Sequence, residues 1–132
     1  MTGRDFDPMQ AGGPVRRLST RRIKVTDRGI DAVERHVARF GKDEANLVMV
    51  DRLRRIGKGE IEPARCDLNY YSHELREFVR YRRRGFPTGA GDDYELWNNA
   101  HSATLRDYDL RELDENGARN MFHPEAWPFL PR

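Results

Sequence analysis

The sequence predicts a mainly α-helical protein: a small bundle of about four helices, preceded by a short extended segment and followed by an irregular aromatic tail. Three observations carry this prediction. Four stretches repeat apolar residues at three- and four-residue spacing. A Thr, Asp or Pro suited to a first turn opens each of them, and glycines close three. Alternation of the strand type occurs once, in the short run RRIKVTD.

The chain has 132 residues, enough for one core but not for two comparable ones. Hydrophobic residues make up 37% and charged residues 35%, so apolar surface has to be concentrated on helix stripes. Residues 1–20, with Gly3, Gly12, Gly13 and Pro14, show no periodicity and read as a flexible leader. Residues 21–132 then form a single domain. Within RRIKVTD, Ile23 and Val25 alternate with polar neighbours, the pattern of one short strand or an extended arm.

Thr26 or Asp27 can cap the first helix, in which Ile30, Val33, Val37 and Phe40 share a face until Gly41. Asp43 can cap the second, with Leu47, Val50, Leu53 and Ile56 as its stripe and Gly57 at its end. The two suggest a hairpin. The third and longest helix follows Pro63 and carries Leu68, Tyr71, Leu75, Phe78 and Val79 on one stripe, ending at Gly85. After the loop GFPTGAGD, Asp92 or Asp93 caps a fourth helix whose inner face holds Trp97, Ala100, His101, Thr104, Leu105 and Tyr108. LDENGARN turns the chain, and the prolines of MFHPEAWPFLPR rule out a regular helix. Phe122, Trp127 and Phe129 are expected to pin that tail to the bundle.

The net charge of +2 hides an asymmetry: residues 1–85 carry +7 and residues 86–132 carry −5. A basic lobe of this kind can meet phosphate, which makes nucleic acid a reasonable substrate class. No apolar run reaches the roughly 18 residues needed to span a bilayer, and MTGRDFDPMQAGGP lacks the hydrophobic stretch of a secretory signal. Membrane insertion is not expected. Cys66 is the single cysteine, so an intrachain disulfide or a cysteine-based zinc site is excluded, and a small buried thiol is the expectation.

Chemistry concentrates in YYSHELREFVRYRRR, residues 70–84. His73 and Glu77 stand four residues apart and are neighbours on a helix surface. On the helical wheel they lie with Tyr70 and Tyr81 away from the apolar stripe, and Glu74 lies at its border. His101 falls on the face that the fourth helix should bury, where an imidazole requires partners for its nitrogens. A carboxylate of the third helix can supply one if the two helices pack side by side. A histidine held by a carboxylate can do acid–base work near neutral pH. Two histidines and a glutamate can instead hold a divalent metal, although HELRE is not the H-E-x-x-H signature, since Glu77 stands at its second histidine. No cofactor is required by the acid–base reading. Arg76, Arg80 and Arg83 can bind phosphate, and Tyr70 and Tyr81 can stack on unpaired bases. His123, fixed in extended shape by Pro124, can return to the cluster or cap the tail. A Gly-rich phosphate loop, a serine nucleophile elbow and Cys/His zinc spacing are all absent.

From VTDRGIDAVERHVARFG through ANLVMVDRLRRIGKGE, DLNYYSHELREF, WNNAHSATLRDY and FHPEA, residues 23–126 resemble a C-terminal module of bacterial polymorphic toxins, the contact-dependent, Rhs and haemagglutinin-like effectors. The most specific pieces are H-E in the third helix, A-H in the fourth and H-P-E near the end. The resemblance implies an effector domain delivered into a competitor as part of a larger protein, and an immunity protein as its partner. It places polar site positions on His73, Glu74, Glu77, His101 and His123. The arginine run 80–84, the PTGAGD insertion and Phe122, where the related modules carry tyrosine, depart from the pattern and bear on substrate preference. The expected activity is hydrolysis, with nucleic acid as the substrate. The alternatives are a binding module with a structural His/Glu cluster and a metal-dependent hydrolase of another substrate.

Overall fold

A computed structural model describes residues 4–111 and 120–130. It is mainly helical, with no strand among the described residues. Four helices follow in order: α1 (Asp27–Ala38), α2 (Glu44–Gly57), α3 (Arg65–Arg83) and α4 (Tyr94–Asp107). Short 3-10 turns at Pro8–Gln10 and Pro124–Phe129 flank them. The turn expected over residues 113–120 falls, apart from Asn120, outside the described residues.

The capping residues act as expected. The side chains of Thr26, Asp43 and Asp93 accept the backbone N–H of Gly29, Asn46 and Leu96, so three helix starts have one of their orphan donors satisfied. At α3 the cap works backwards: the Asp67 carboxylate accepts the N–H of Ala64 at 2.9 Å. The RRIKVTD run is the extended-arm alternative, leading into α1 with Ile23 and Val25 against the core.

α3 is the central element and packs against α1, α2 and α4. This placement corrects the helical-wheel reading. Of the expected stripe, Tyr71 and Phe78 are buried but Leu68, Leu75 and Val79 only partly so, whereas Tyr70, His73, Glu77 and Tyr81 are buried completely or nearly so. A helix covered on several sides has no single wet face, and here its polar side meets α1 and α4. On α2, Val50 and Leu53 of the expected stripe are buried and Ile56 packs against the core, whereas Leu47 is 52% exposed and Met49 takes a core place beside Ile30, Val33 and Tyr71. Buried charge on α2 is matched, because Arg52 donates from Nε and Nη2 to the two oxygens of Asp67 at 2.9 and 2.8 Å.

Residues 4–20, read from sequence as a flexible leader, follow a defined course along α3 and α4. Arg80, the largest fully buried side chain, donates to the carbonyls of Ala11, Gly13 and Pro14 at 3.1, 2.6 and 3.2 Å and to Asp107 Oδ2 at 2.7 Å. Asp107 in turn accepts the Arg16 N–H at 2.7 Å. Periodicity could not announce this strap, since side-chain donors hold its backbone instead of a helix or sheet ladder. In the C-terminal tail, Phe122 packs on Tyr70 with ring centroids 5.3 Å apart. Trp127 and Phe129 stay 36% and 47% exposed, so Met121 and Ala126, and not those two rings, complete the anchor.

Candidate functional site

Glu77 is the centre of the site. Its Oε1 lies 2.9 Å from His36 Nε2, and its Oε2 lies 2.8 Å from His73 Nε2 and 3.1 Å from His101 Nδ1. His73 Nε2 and His101 Nδ1 are themselves 3.0 Å apart. Three helices therefore deliver imidazoles to one carboxylate: α1 through His36, α3 through His73 one turn before Glu77, and α4 through His101. Side-by-side packing of α3 and α4, on which the expected cluster depended, is present.

The group is largely shielded from water, with His101 its most exposed imidazole. His36 and His73 are fully buried, Glu77 is 1% exposed and His101 is 8% exposed. Burial pushes the Glu77 carboxyl up, but hydrogen bonds from His101, His36 and His73 outweigh it and hold this group well below the usual carboxylate range. It is an anion. Burial lowers His73, helped by the neighbouring His101 and His36 and opposed by Glu77, which favours a neutral ring. Its Nδ1 is buried without a hydrogen-bond partner among the described residues, and so is that of His36. A ring nitrogen buried there without a partner costs desolvation in either tautomer. Glu74 reaches the same place from one turn away, 3.7 Å from His36 Nε2, with 14% of its side chain exposed. Burial and then the Glu77 charge push its carboxyl well above the usual range. Two carboxylates three residues apart are thus driven in opposite directions by their surroundings.

Glu74, Glu77 and His101 open onto a cleft of about 240 Å³ whose other walls are Val37, Phe40, Asn46, Trp97, Met121 and Phe122. Trp97 stacks on the His101 ring at 4.4 Å with the planes 16° apart, which fixes the orientation of that imidazole. Two further concavities share walls with the cleft. One, of about 410 Å³, lies between α1 and α2 and shares Val37 and Asn46; the other, of about 250 Å³, shares Phe40 and Trp97.

Of the expected site residues, His73, Glu74, Glu77 and His101 come together. His123 does not: its Nδ1 accepts the N–H of Glu125 at 3.1 Å and caps the C-terminal 3-10 turn, the second of the two roles open to it. The expected binding residues also take other work. Arg76 and Arg80 both pair with Asp107 Oδ2, and Arg83 lies exposed on the far end of α3 beside the strap residue Gly13. Tyr70 is buried and donates to Asn46 Oδ1 at 2.8 Å, and Tyr81 is buried against His36 and Phe40 under the Arg39 guanidinium. None of these five lines the cleft. Tyr70, Tyr81, Arg76 and Arg80 are thus engaged in packing and internal pairing, while Arg83 stays exposed and away from the cleft.

His36 went unnominated. It lies between Val33 and Val37 in the register of the α1 stripe, so a polar residue at an apolar position was the available signal. Cys66, expected to be buried, is partly exposed, and burial of the remainder raises its thiol pKa.

Comparisons with protein-family models, curated proteins and solved structures return no match for this chain, so the toxin-module resemblance rests on the quoted motifs alone.

Proposed function

We propose that this chain is a hydrolase domain of the toxin-effector type, in which Glu77 and His101 form the acid–base centre. The observation that carries this reading is a buried carboxylate gathering three imidazoles and presenting one of them, His101, to a cleft. A carboxylate on Nδ1 fixes the ring tautomer and raises the basicity of Nε2, the nitrogen that takes a proton from an attacking water. His36 and His73 hold Glu77 in place from its other sides. Glu74, at the cleft wall, is positioned to return a proton to the leaving group.

The surroundings favour an extended substrate. Three concavities share wall residues around the cluster, Val37 and Asn46 on one side and Phe40 and Trp97 on the other. Their lining includes the acids Glu34, Asp43, Glu77 and Asp92 against Lys42 and His101, an acidic balance that suits a neutral or basic chain better than a polyanion. With Arg76 and Arg80 engaged by Asp107, peptide is the favoured substrate class over nucleic acid.

The purified chain is to be incubated with a casein-type protein mixture, RNA and single- and double-stranded DNA. Peptide cleavage that disappears in His101→Ala and Glu77→Gln is the expected result. Cleavage confined to nucleic acid would retain the hydrolase and overturn the peptide assignment. Inertness toward all of them, in protein that is folded by circular dichroism, would favour a binding module with a structural cluster.

A further inference from the structure

Three donor atoms at the cluster have a spacing that hydrogen bonding alone accounts for poorly. His73 Nε2, His101 Nδ1 and Glu77 Oε2 form a triangle with sides of 2.8, 3.0 and 3.1 Å. If both rings donate to the one oxygen, the two N–H groups converge side by side with their nitrogens 3.0 Å apart, and each proton crowds the other. If one ring turns its lone pair inward, one of the three contacts brings two acceptors together. With Glu77 ionised, no assignment of protons satisfies all three sides.

A cation does. Ligand bonds of about 2.1 Å at right angles place neighbouring donors about 3.0 Å apart, and a tetrahedral site would open the same edge to about 3.4 Å. The observed sides therefore match three ligands on one face of a five- or six-coordinate ion. We infer that His73, His101 and Glu77 form a binding site for a divalent transition metal, a two-histidine, one-carboxylate face.

The surroundings supply several of the features such a site needs, although His73 Nδ1, which carries the proton when Nε2 is a ligand, has no acceptor among the described residues. The two nitrogen donors select zinc, manganese or iron over magnesium and calcium, which take oxygen ligands. The anionic carboxylate offsets part of the charge of the ion. His36 Nε2 holds the other Glu77 oxygen at 2.9 Å, and Trp97 stacks on His101, so two of the three ligands are oriented by a neighbour. Glu74 lies on the cleft side, within reach of a remaining position. Ligand atoms of His36, Glu74 and Glu77 also group within 4.8 Å, but the separation of 3.7 Å between His36 and Glu74 is wider than one ion of this size closes without movement. His36 is accordingly a positioning residue. The inference stands on geometry and holds whether or not the hydrolase reading does. If both hold, the cation supplies the activated water and His101 serves as its ligand.

The test is direct metal titration of the chelator-treated full chain. Zn²⁺ and Mn²⁺ are followed by calorimetry, and Co²⁺ by its visible spectrum. One equivalent is expected to bind, with a rise in thermal midpoint that grows with metal concentration. His101→Gln should weaken binding at least a hundredfold, His36→Gln about 10- to 100-fold without changing stoichiometry, and His123→Ala not at all. Because a cluster variant can fail to fold, nitrogen-15 histidine spectra of the wild type provide a second readout: addition of Zn²⁺ should shift His73 Nε2 and His101 Nδ1 and leave His123 in place. Failure to bind any of the three ions, or shifts centred on His123, would overturn the site. Binding by a protein inert toward every substrate would support it while retiring the hydrolase reading; hydrolysis undiminished by chelator in protein that binds no ion would do the reverse.

Discussion

Arg80→Met removes the side chain that joins α3, α4 and the N-terminal strap. Arg80 is fully buried and makes four charge-assisted hydrogen bonds, one to Asp107 and three to strap carbonyls. Breaking a buried ion pair by deleting one partner costs about 3–5 kcal/mol. Here the lower end applies, for three reasons. Asp107 keeps Arg76 at 3.0 Å and the Arg16 N–H at 2.7 Å. Arg80 Nε is itself buried without a partner among the described residues, so its loss removes one liability. Methionine refills most of the volume. The expected loss is about 3 kcal/mol, a large share of the roughly 5–15 kcal/mol available to a domain. For a chain of this length that is a fall in thermal midpoint of roughly 10 °C. Urea denaturation followed by circular dichroism measures it, and limited proteolysis should show new cleavage within residues 4–20. A loss below about 1 kcal/mol, at the level of an ordinary surface substitution, with unchanged cleavage of the strap, would refute the role given to Arg80.

Three further outcomes follow from the packing. A Cβ at Gly29 would lie 1.7 Å from the hydroxyl of the buried Tyr71, so Gly29→Ala should destabilise by about 1–3 kcal/mol, and Tyr71→Phe in the same chain should restore part of it in a denaturant titration. Tyr81 has its hydroxyl buried without a hydrogen-bond partner among the described residues, so Tyr81→Phe should be neutral or stabilising and leave activity intact; a loss of activity with unchanged stability would return Tyr81 to the binding role expected from sequence. Asp67→Asn weakens a two-pronged bond to the buried Arg52, and its expected cost of about 3 kcal/mol would show as a lower urea midpoint with an unchanged slope.

The helices and their caps were legible because capping is local: Thr26, Asp43 and Asp93 each reach a backbone N–H three residues on, whatever the rest of the chain does. The pairing of His73, Glu77 and His101 was also legible, since a buried imidazole on α4 requires a partner and α3 offered carboxylates. Burial on α3 was misread for a tertiary reason. A stripe identifies the core side of a helix at the surface, whereas α3 is covered by α1, α2 and α4, and its polar side is the more buried one. The pairing of Arg76 and Arg80 was hidden for the same reason: Arg80 looks like a solvated cation until Asp107, 27 residues away, is seen beside it. His36 was hidden by its apolar neighbours, and the strap by having no period at all.

The central claim is that Glu77 gathers histidines of three helices into a reactive centre, and inducible expression in a bacterial host tests it most directly. Wild type is predicted to arrest growth, Glu77→Gln to restore it at equal amounts of folded protein, and His123→Ala to remain as toxic as wild type. A harmless wild type, or a Glu77→Gln chain that arrests growth equally well, would contradict that claim.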